Sequence, residues 1–403
     1  MSGPLNGIKV LSFCRALAGP FTTMILGDMG AEIIKIESPD KGDPARYSGN
    51  KIAGVSAYFL SLNRGKKSIT LDLKSERSRK LIHSLIETSD VLVENFRPGV
   101  MKRLGFDYDT VKKINARLVY ASVSGFGQTG PYSQKPAYDM VAQAMGGVIS
   151  ITGCEDPGAP PVRVGYSIGD MAAGMFTATG ILAALVERGK SNLGQWVDVS
   201  MLDSQVALCE NAVVRYTTTG VIPKPQGSRH PLFTPFQVYN TQDKPIAVLA
   251  NSEKLWINFC RAAEKEEWLS DQRYNPVDHR IENYKQFDSD MTALMRTRSY
   301  NEWVDRFEEH EAMYAPVNNI EDVVNDPQVK SREMVIELVH AKAGAHRVVN
   351  TPIKFSRTPS KIEKAAPELG ADTYDILSRR LGLSDKEINE FALKNVICRP
   401  RKH

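Results

Sequence analysis

Gly7-Ile-Lys-Val-Leu-Ser-Phe13 and Glu32-Ile-Ile-Lys-Ile-Glu37 are short apolar runs of the kind that form β-strands. Residues 19–30 between them predict a helix that begins at Gly19-Pro20. Two strands joined by a helix run parallel to each other. The same alternation continues with predicted strands at Lys67–Leu73, Asp90–Glu94 and Leu118–Val123 and predicted helices at Ser75–Thr88 and Tyr108–Asn115. The chain is therefore predicted to have an α/β fold with a doubly wound parallel sheet.

The length of 403 residues favours two domains over one. Glycine and proline cluster between residues 219 and 236, which predicts a domain boundary there. Residues 1–220 would form the large domain, and residues 221–330 a smaller α+β domain. The elements predicted beyond the boundary are a strand at Lys244–Ala250, helices at 252–262 and 280–309, a helix that stops at Asp326-Pro327, extended pieces after residue 345 and a final helix at Ser384–Leu393.

The formal net charge of +4 is too small to indicate a nucleic-acid partner, although it favours an anionic small ligand. The five cysteines are scattered and form no C-x-x-C pair, which indicates free thiols in a reducing compartment. The N-terminus lacks the pattern of a signal peptide. The longest uncharged apolar run is shorter than the ~20 residues that a membrane span needs. These features predict a cytoplasmic protein without a membrane segment.

That apolar run lies in Gly165–Val186, where Asp170 precedes sixteen residues without a charge. We expect a buried helix whose start alone can face a ligand, with Gly174 and Gly180 allowing close packing. Asp170 has two interpretations. It can be an N-cap, because aspartate accepts a hydrogen bond from the first turn. It can also be a carboxylate nucleophile, kept ionised by the positive end of the helix dipole.

Gly125-Phe-Gly-Gln-Thr-Gly130 matches the G-x-G-x-x-G pattern of dinucleotide-binding loops. Pro131 follows it in place of a helix start, and no acidic residue closes a second strand, so nicotinamide binding is disfavoured. A glycine-rich loop that lets a substrate approach the backbone fits better. No Walker A loop is present, and the isolated histidines predict no metal site.

The Glu94–Gly99 segment closes a predicted strand, at the sheet edge where doubly wound folds bind ligands. An ordinary turn would need only its proline and glycine. In the functional interpretation, Asn95 forms hydrogen bonds, Phe96 stacks, and Arg97 with Arg103 binds phosphate. Lys74 follows another strand, and is equally consistent with a phosphate ligand and with a solvated surface lysine.

Short motifs along nearly the whole chain resemble the class III CoA-transferases, which include formyl-CoA transferase and crotonobetaine CoA-transferase. These motifs are Ala18-Gly19-Pro20, Gly30–Glu37, Glu94–Gly99, Ser124–Gly127, Pro136–Asp139, Gly169-Asp170 and Pro367–Gly370. The resemblance implies that Asp170 is the nucleophile, and that a large Rossmann-like domain is joined to a smaller one. It further implies that residues 331–403 return to the large domain, and that two subunits form an interlinked-ring homodimer.

The resemblance also implies which residues contact coenzyme A: Ala18, Leu71, Lys74, Asn95, Phe96, Arg97, Arg103 and Tyr138. Leu17 and Tyr138 would lie beside the acyl group. The implied substrates are an acyl-CoA and a carboxylic acid, with no permanently bound cofactor. Some relatives have glutamine at the position of Leu17 and arginine at that of Ser38, and a glycine-rich loop of formyl-CoA transferase has no clear counterpart. These departures predict a less polar acyl pocket and disfavour oxalate and formate.

Two alternatives remain open. An α-methylacyl-CoA racemase would share the fold, but its general base is a histidine, and Tyr138 stands at that position. A non-catalytic acyl-CoA-binding protein would bind the same ligand without exchanging it. The preferred hypothesis is CoA transfer through an aspartyl mixed anhydride and an aspartyl-CoA thioester.

Overall fold

The computed structural model describes residues 3–156 and 158–398, and these divide into two compact units. The first takes in the chain up to Ile149, Arg163–Val221 and the chain from Gln328 onward. The second comprises Ser150–Val162 and Ile222–Pro327. The strands in chain order are β1 Lys9–Ser12, β2 Glu32–Glu37, β3 Lys51–Ile52, β4 Val55–Ser56, β5 Lys67–Thr70, β6 Val91–Glu94, β7 Val119–Ser124, β8 Trp196–Ser200, β9 Phe236–Asn240, β10 Pro245–Leu249, β11 Met313–Pro316, β12 Val335–His340 and β13 Gly344–Val349.

The helices are connected by loops and by short 3₁₀ or π turns at Pro44–Tyr47, Glu266–Leu269 and Ile376–Arg380. In chain order they are α1 Ala18–Asp28, α2 Ala57–Asn63, α3 Glu76–Glu87, α4 Val100–Leu104, α5 Tyr108–Ile114, α6 Asp139–Met145, α7 Val148–Ile151, α8 Ile168–Ser191, α9 Met201–Leu208, α10 Glu210–Thr219, α11 Glu253–Ala262, α12 Val277–Glu282, α13 Tyr284–Met295, α14 Tyr300–Glu309, α15 Ile320–Asn325, α16 Pro327–Ser331, α17 Thr373–Asp375 and α18 Asp385–Leu393.

The first unit is built on a six-stranded sheet with the order β5-β2-β1-β6-β7-β8, and every neighbouring pair in it is parallel. This confirms the predicted α/β class. The order is that of the Rossmann fold, in which the chain returns to the centre of the sheet before building outward in the other direction. The crossing from β5 back to β6, beside β1, creates a crevice at the carboxyl ends of the two central strands.

Helices cover both faces of this sheet, because its strands are apolar on both sides. Leu11 and Leu92 pack on one face against a cluster that includes residues of α3. Val10 and Val91 point to the opposite face and pack in a cluster with residues of α1 and α8. Alternate residues of one strand thus enter two separate cores.

Helix α8 is 24 residues long, so it extends beyond the uncharged run of sixteen residues that follows Asp170. By length and composition alone, this helix is long and apolar enough to cross a membrane. Its length therefore does not exclude a membrane span, contrary to the expectation from the sequence. In the structure α8 packs against β7, β8, α1, α6 and α9, and 44% of its apolar window is buried. This packing is that of a core helix.

The chain from Lys364 to Cys398 lies along β5, the edge strand of the sheet. Asp372 accepts a hydrogen bond from the Ser68 N–H, and the Thr70 N–H donates to the hydroxyl of Thr373. Backbone and side-chain bonds therefore cover an edge that would otherwise present unpaired groups.

The second unit has its own core. An antiparallel sheet, ordered β11-β10-β9, packs with α11, α13 and α14 around buried aromatic side chains such as Trp256, Phe287 and Trp303. The unit is of the α+β type. Ser150–Val162 belongs to this unit, whereas all of residues 1–220 were predicted to lie in the large domain.

Some predicted elements differ from those in the structure. The helix predicted over 280–309 is three helices, and the last begins at a capping box formed by Ser299 and Glu302. The helix predicted to stop at Asp326-Pro327 is α15, which ends at Asn325 as expected, but Pro327 then begins the separate helix α16, because proline is well suited to the first position of a helix. Strands β9, β11 and β12 were not predicted, and the extended piece after residue 345 is β13, the partner of β12.

Candidate active site

The loops that follow β1 and β6 meet at the crevice where the strand order reverses. Asn95 joins them: its carbonyl oxygen accepts from the Arg15 N–H and its amide donates to the Arg15 carbonyl, both at 2.8 Å. The Arg15 guanidinium lies 5.0 Å from the centre of the Phe96 ring, a cation–π contact. A Cβ at Gly19 would lie 3.2 Å from Asn95 Cγ, so the start of α1 also touches this pair.

A buried ion pair holds the turn between β1 and α1. Lys35 Nζ donates to the Cys14 carbonyl and to Asp43 Oδ2, each at 2.7 Å. The other oxygen of Asp43 accepts from the Ala16 N–H at 3.1 Å. Ala16 has a φ of 59°, a left-handed conformation that is rare for alanine and is fixed here by these bonds. The turn places Ala18 at the start of α1, and Leu17, which is half-buried, directly before it.

Asp170 is the third residue of α8, and the N-cap of that helix is Ser167. The N-cap interpretation of Asp170 is therefore wrong. Its carboxylate instead accepts a hydrogen bond from the backbone N–H of Ala18, the first residue of α1. Helix α1 has no side-chain cap of its own, because its N-cap position is Leu17. The carboxylate thus lies at the positive ends of two helices.

The pKa of Asp170 is raised to about 6, first by burial and then by the negative charge of Asp139. The hydrogen bond from Ala18 lowers it, but by less than the other two effects raise it. The pKa of Asp170 is therefore raised even though the carboxylate lies in the first turn of α8, where a helix dipole favours the charged form. The group is still mostly ionised at neutral pH. Burial, together with the Asp170 and Asp43 carboxylates, raises the pKa of the Tyr58 phenol to about 12, so this tyrosine also faces the site.

Asp139, the first residue of α6, holds the start of α8. Its Oδ1 accepts from the Gly169 N–H at 2.8 Å, and its Oδ2 accepts from Gln143 Nε2 at 2.8 Å. A Cβ at Gly169 would lie 3.0 Å from Asp139 Oδ1, so a side chain there would press on this carboxylate. The residue before Asp170 is therefore fitted closely to Asp139.

The residues expected to contact coenzyme A differ in where they lie and in how exposed they are. Asn95, Phe96 and Arg97 lie at the crevice on the loop after β6, with Arg97 exposed. Arg103 is exposed on α4, near the Gly99 that begins this helix, and Lys74 is exposed beyond β5. Tyr138 is 78% exposed at the N-terminus of α6.

Two other expected contacts are buried. Leu71 is wholly buried in a core cluster and Ala18 is 3% exposed. Leu71 therefore presents no surface to a ligand in this structure, and Ala18 presents almost none.

The glycine-rich segment packs against the loop that carries Tyr138. A Cβ at Gly125 would lie 2.2 Å from that of Ala137, so only glycine fits. The Gln128 N–H donates to Asp198 Oδ2 and is not free for a ligand. The role of Gly125 in the structure is to let the Ala137–Asp139 chain lie close to β7.

Arg15, Tyr58, Asp139 and Gln143 were not singled out from the sequence as site residues. Asp139 and Gln143 are four residues apart, the spacing of neighbours on one helix face, which was the one available signal. Arg15 and Tyr58 carried no signal, because Arg15 is placed by its bonds to Asn95 and Tyr58 by its packing against the cluster of Ala45 and Phe59. In residues 3–156 and 158–398, no three His, Cys, Asp or Glu side chains are grouped so that they could hold a metal ion.

A Rossmann-type crevice with a half-buried carboxylate at two helix N-termini and arginines at its rim is suited to an enzyme that binds an anionic ligand. Residues 5–373 match the model of CoA-transferase family III, and the chain belongs to this family. It is 38% identical over 369 residues to the acetyl-CoA:oxalate CoA-transferase of Acetobacter aceti, covering 91% of this chain and 93% of that protein.

It is also 34% identical over 401 residues to the human succinyl-CoA:glutarate CoA-transferase, covering 99% of this chain and 91% of the human protein. A CAIB/BAIF family protein from Brucella suis has the same fold, with a TM-score of 0.83 and 31% identity over 94% of this chain and 100% of that one. The protein is an enzyme that acts as a CoA-transferase, and its CoA-transferase relatives act on acyl-CoA and carboxylate substrates. The expected family is thereby confirmed.

Proposed function

We propose that this enzyme transfers coenzyme A between two carboxylic acids by covalent catalysis at Asp170. The observation that carries the proposal is the position of this carboxylate: half-buried, ionised at neutral pH, and bonded to the first N–H of α1 at the crevice of the sheet. A carboxylate nucleophile suits the exchange of one thioester for another, because each step conserves an activated acyl group.

The proposed reaction has four steps. The Asp170 carboxylate attacks the thioester carbonyl, giving a mixed anhydride and the CoA thiolate. The thiolate then attacks the aspartyl carbonyl, giving an aspartyl-CoA thioester and releasing the first acid. The acceptor carboxylate attacks this thioester, forming a second anhydride and freeing the thiolate again. The thiolate finally attacks the acceptor's acyl carbon, which gives the new acyl-CoA and restores the carboxylate.

The proposed CoA contacts follow from the same crevice. Asn95 fixes the loop backbone, Phe96 and Arg15 offer a stacked surface for a planar group, and Arg97 with Arg103 offers positive charge to phosphates. Leu17 and Tyr138 would lie beside the acyl chain.

We propose a dicarboxylic acid as acceptor, because the two relatives described above are named for oxalate and glutarate. Leu17 favours the longer and less polar members of that class. A screen of acetyl-CoA and succinyl-CoA against C2 to C6 dicarboxylates tests this, with oxalate included, and transfer to monocarboxylates alone would contradict it.

The nucleophile is tested with ¹⁸O. Turnover of an ¹⁸O-labelled acceptor should deposit label in the Asp170 carboxylate, found by mass analysis of a peptide within Val164–Arg188. The Asp170→Asn variant keeps an oxygen that can accept from Ala18, and should fold but lack transfer. Turnover of the wild-type enzyme without label in this peptide would refute the covalent mechanism.

A homodimer is proposed from the surface of the first unit. Met175 and Phe176 on α8 are 50% and 43% exposed, and Val214 on α10 is 57% exposed. No described residue of α10 is buried in the single chain. A second copy of the chain would cover these side chains, since large exposed apolar side chains are typical of protein interfaces. Sedimentation should give twice the mass of 44.7 kDa, and an active monomer would contradict this proposal.

A further inference from the structure

The chain that leads into Asp170 is held to α6 by one buried amide. Gln143 is fully buried, and its Oε1 accepts from the Val164 N–H at 3.0 Å. Its Nε2 donates to Asp139 Oδ2 at 2.8 Å and lies 3.5 Å from the Tyr166 carbonyl. A single side chain thus reaches both ends of the segment from Val164 to Asp170, directly at Val164 and through Asp139 at Gly169.

The hydrogen bond that Gln143 donates to Asp139 also bears on the charges beside Asp170. Asp139 faces the Asp170 carboxylate and raises its pKa, which means that the two negative charges repel each other. A carboxylate kept charged near another one needs hydrogen-bond donors. Gly169 N–H and Gln143 Nε2 are the donors that Asp139 receives. Without Gln143, the Asp139 carboxylate would lose one of these two donors and could turn away from Gly169.

We propose that Gln143 is a positioning residue for the transfer reaction, acting through Asp139 to hold Gly169 and the Asp170 carboxylate in place. The inference rests on the proposed role of Asp170 as nucleophile. Gln143 itself is wholly inside the protein and touches no substrate, so its effect must pass through the Asp139 carboxylate and the Val164–Gly169 backbone.

The structure offers a matched control in Gln205. This glutamine is also fully buried, lies on the neighbouring helix α9, and donates to the Ile168 carbonyl at 3.4 Å. It contacts the same segment of chain, and within the described residues its amide bonds Ile168 rather than Asp139. Replacing either glutamine by methionine removes a buried amide of the same size, but both amide atoms of Gln143 are bonded whereas Gln205 Oε1 has no partner among the described residues, so the stability of each variant in urea is measured beside its kcat.

Gln143→Met should lower kcat about 100-fold, the loss expected from a misplacement on the order of 1 Å, and should leave the KM for acyl-CoA within about threefold. Gln205→Met should leave kcat within about threefold. Gln143→Glu keeps the acceptor for Val164 but can donate to Asp139 only while protonated, so its kcat should fall as the pH rises, unlike that of the wild-type enzyme. Equal kcat losses in Gln143→Met and Gln205→Met, or full activity of a folded Gln143→Glu well above neutral pH, would overturn the proposal.

A double-mutant cycle tests the route. If Gln143 acts through Asp139, the double variant Gln143→Met with Asp139→Asn should be no slower than the slower single variant. Multiplied losses would show that the two residues act separately and would overturn the route. Asp170→Asn is measured in parallel: an active Asp170→Asn refutes the proposed nucleophile, whereas an inactive one with unaffected Gln143 variants refutes only the positioning role.

Discussion

The close approach of α8 to α1 at Gly174 predicts that even one methyl group there disturbs the site. A Cβ at Gly174 would lie 2.9 Å from the Ala18 carbonyl oxygen and 3.0 Å from Phe21 Cδ1. The first of these atoms belongs to the backbone, so it cannot move without moving the helix. Thr22 adds to the constraint, since its hydroxyl donates to the carbonyls of both Ala18 and Gly174. Gly174→Ala must therefore push α1 away from α8.

The size of the effect follows from two opposed contributions. Alanine in place of glycine favours a helix by about 1 kcal/mol. Overpacking of a close contact costs about 1–3 kcal/mol. Gly189 lies on the same helix and a Cβ there meets nothing within 4 Å, so Gly189→Ala receives only the first contribution. Gly174→Ala should therefore be less stable than Gly189→Ala by about 1–3 kcal/mol, because helix propensity cancels between the two variants.

The stability difference is measured by urea unfolding followed through far-UV circular dichroism, and kcat is measured on the same samples. Movement of α1 also displaces the Ala18 N–H from the Asp170 carboxylate, so kcat should fall in Gly174→Ala and stay unchanged in Gly189→Ala. Equal stability and equal kcat in the two alanine variants would refute the argument. Gly180→Ala is an intermediate case, because its Cβ would meet the Val197 side chain at 2.7 Å, and a side chain can turn aside.

Three further predictions concern charge. Because the pKa of Asp170 is raised to about 6, its nucleophilic form is lost as pH falls, so kcat/KM should be constant above that pH and decline below it; a rate unchanged well below pH 6 would contradict this. Arg97→Ala and Arg103→Ala should raise the KM for acyl-CoA and leave kcat within about twofold, because the two arginines would bind phosphates remote from the reacting group. An unchanged KM in both variants would show that these arginines do not belong to the CoA site. Arg64→Met should lower the free energy of unfolding in urea by about 3–5 kcal/mol, because it leaves the buried carboxylate of Asp28 without its partner. A loss below about 1 kcal/mol would be inconsistent with a buried pair.

The parallel sheet could be predicted because its signals are local. Apolar runs such as Glu32–Glu37 correspond to β2 as predicted, and Val91–Glu94 and Val119–Ser124 lie close to the predicted bounds. The unpredicted strands have a different character. Met313–Pro316 is mostly exposed, and β12 alternates weakly, so each is a strand because of its partner rather than its own residues.

The candidate site could be predicted only where a residue type was itself unusual. Asp170 was visible because it is the single charge ahead of a long apolar run, and Asn95-Phe96-Arg97 because it closes a strand. The pKa of Asp170 could not be read from the sequence, since it depends on burial and on Asp139, thirty-one residues earlier in the chain. A buried glutamine such as Gln143 resembles any other helix residue until its partners are known.

The balance of charges around Asp170 bears on the direction of the proposed reaction. In a mixed anhydride the thiolate can attack either carbonyl, and the carboxylate that departs more readily is the less basic one. Burial and Asp139 raise the pKa of Asp170 to about 6, whereas an ordinary aliphatic carboxyl group in water has a pKa near 4. The substrate acid is then the better leaving group, so attack at the aspartyl carbonyl is favoured and the aspartyl-CoA thioester forms. The hydrogen bond from Ala18 has the opposite effect, because it keeps the same carboxylate ionised at neutral pH and therefore able to begin the cycle.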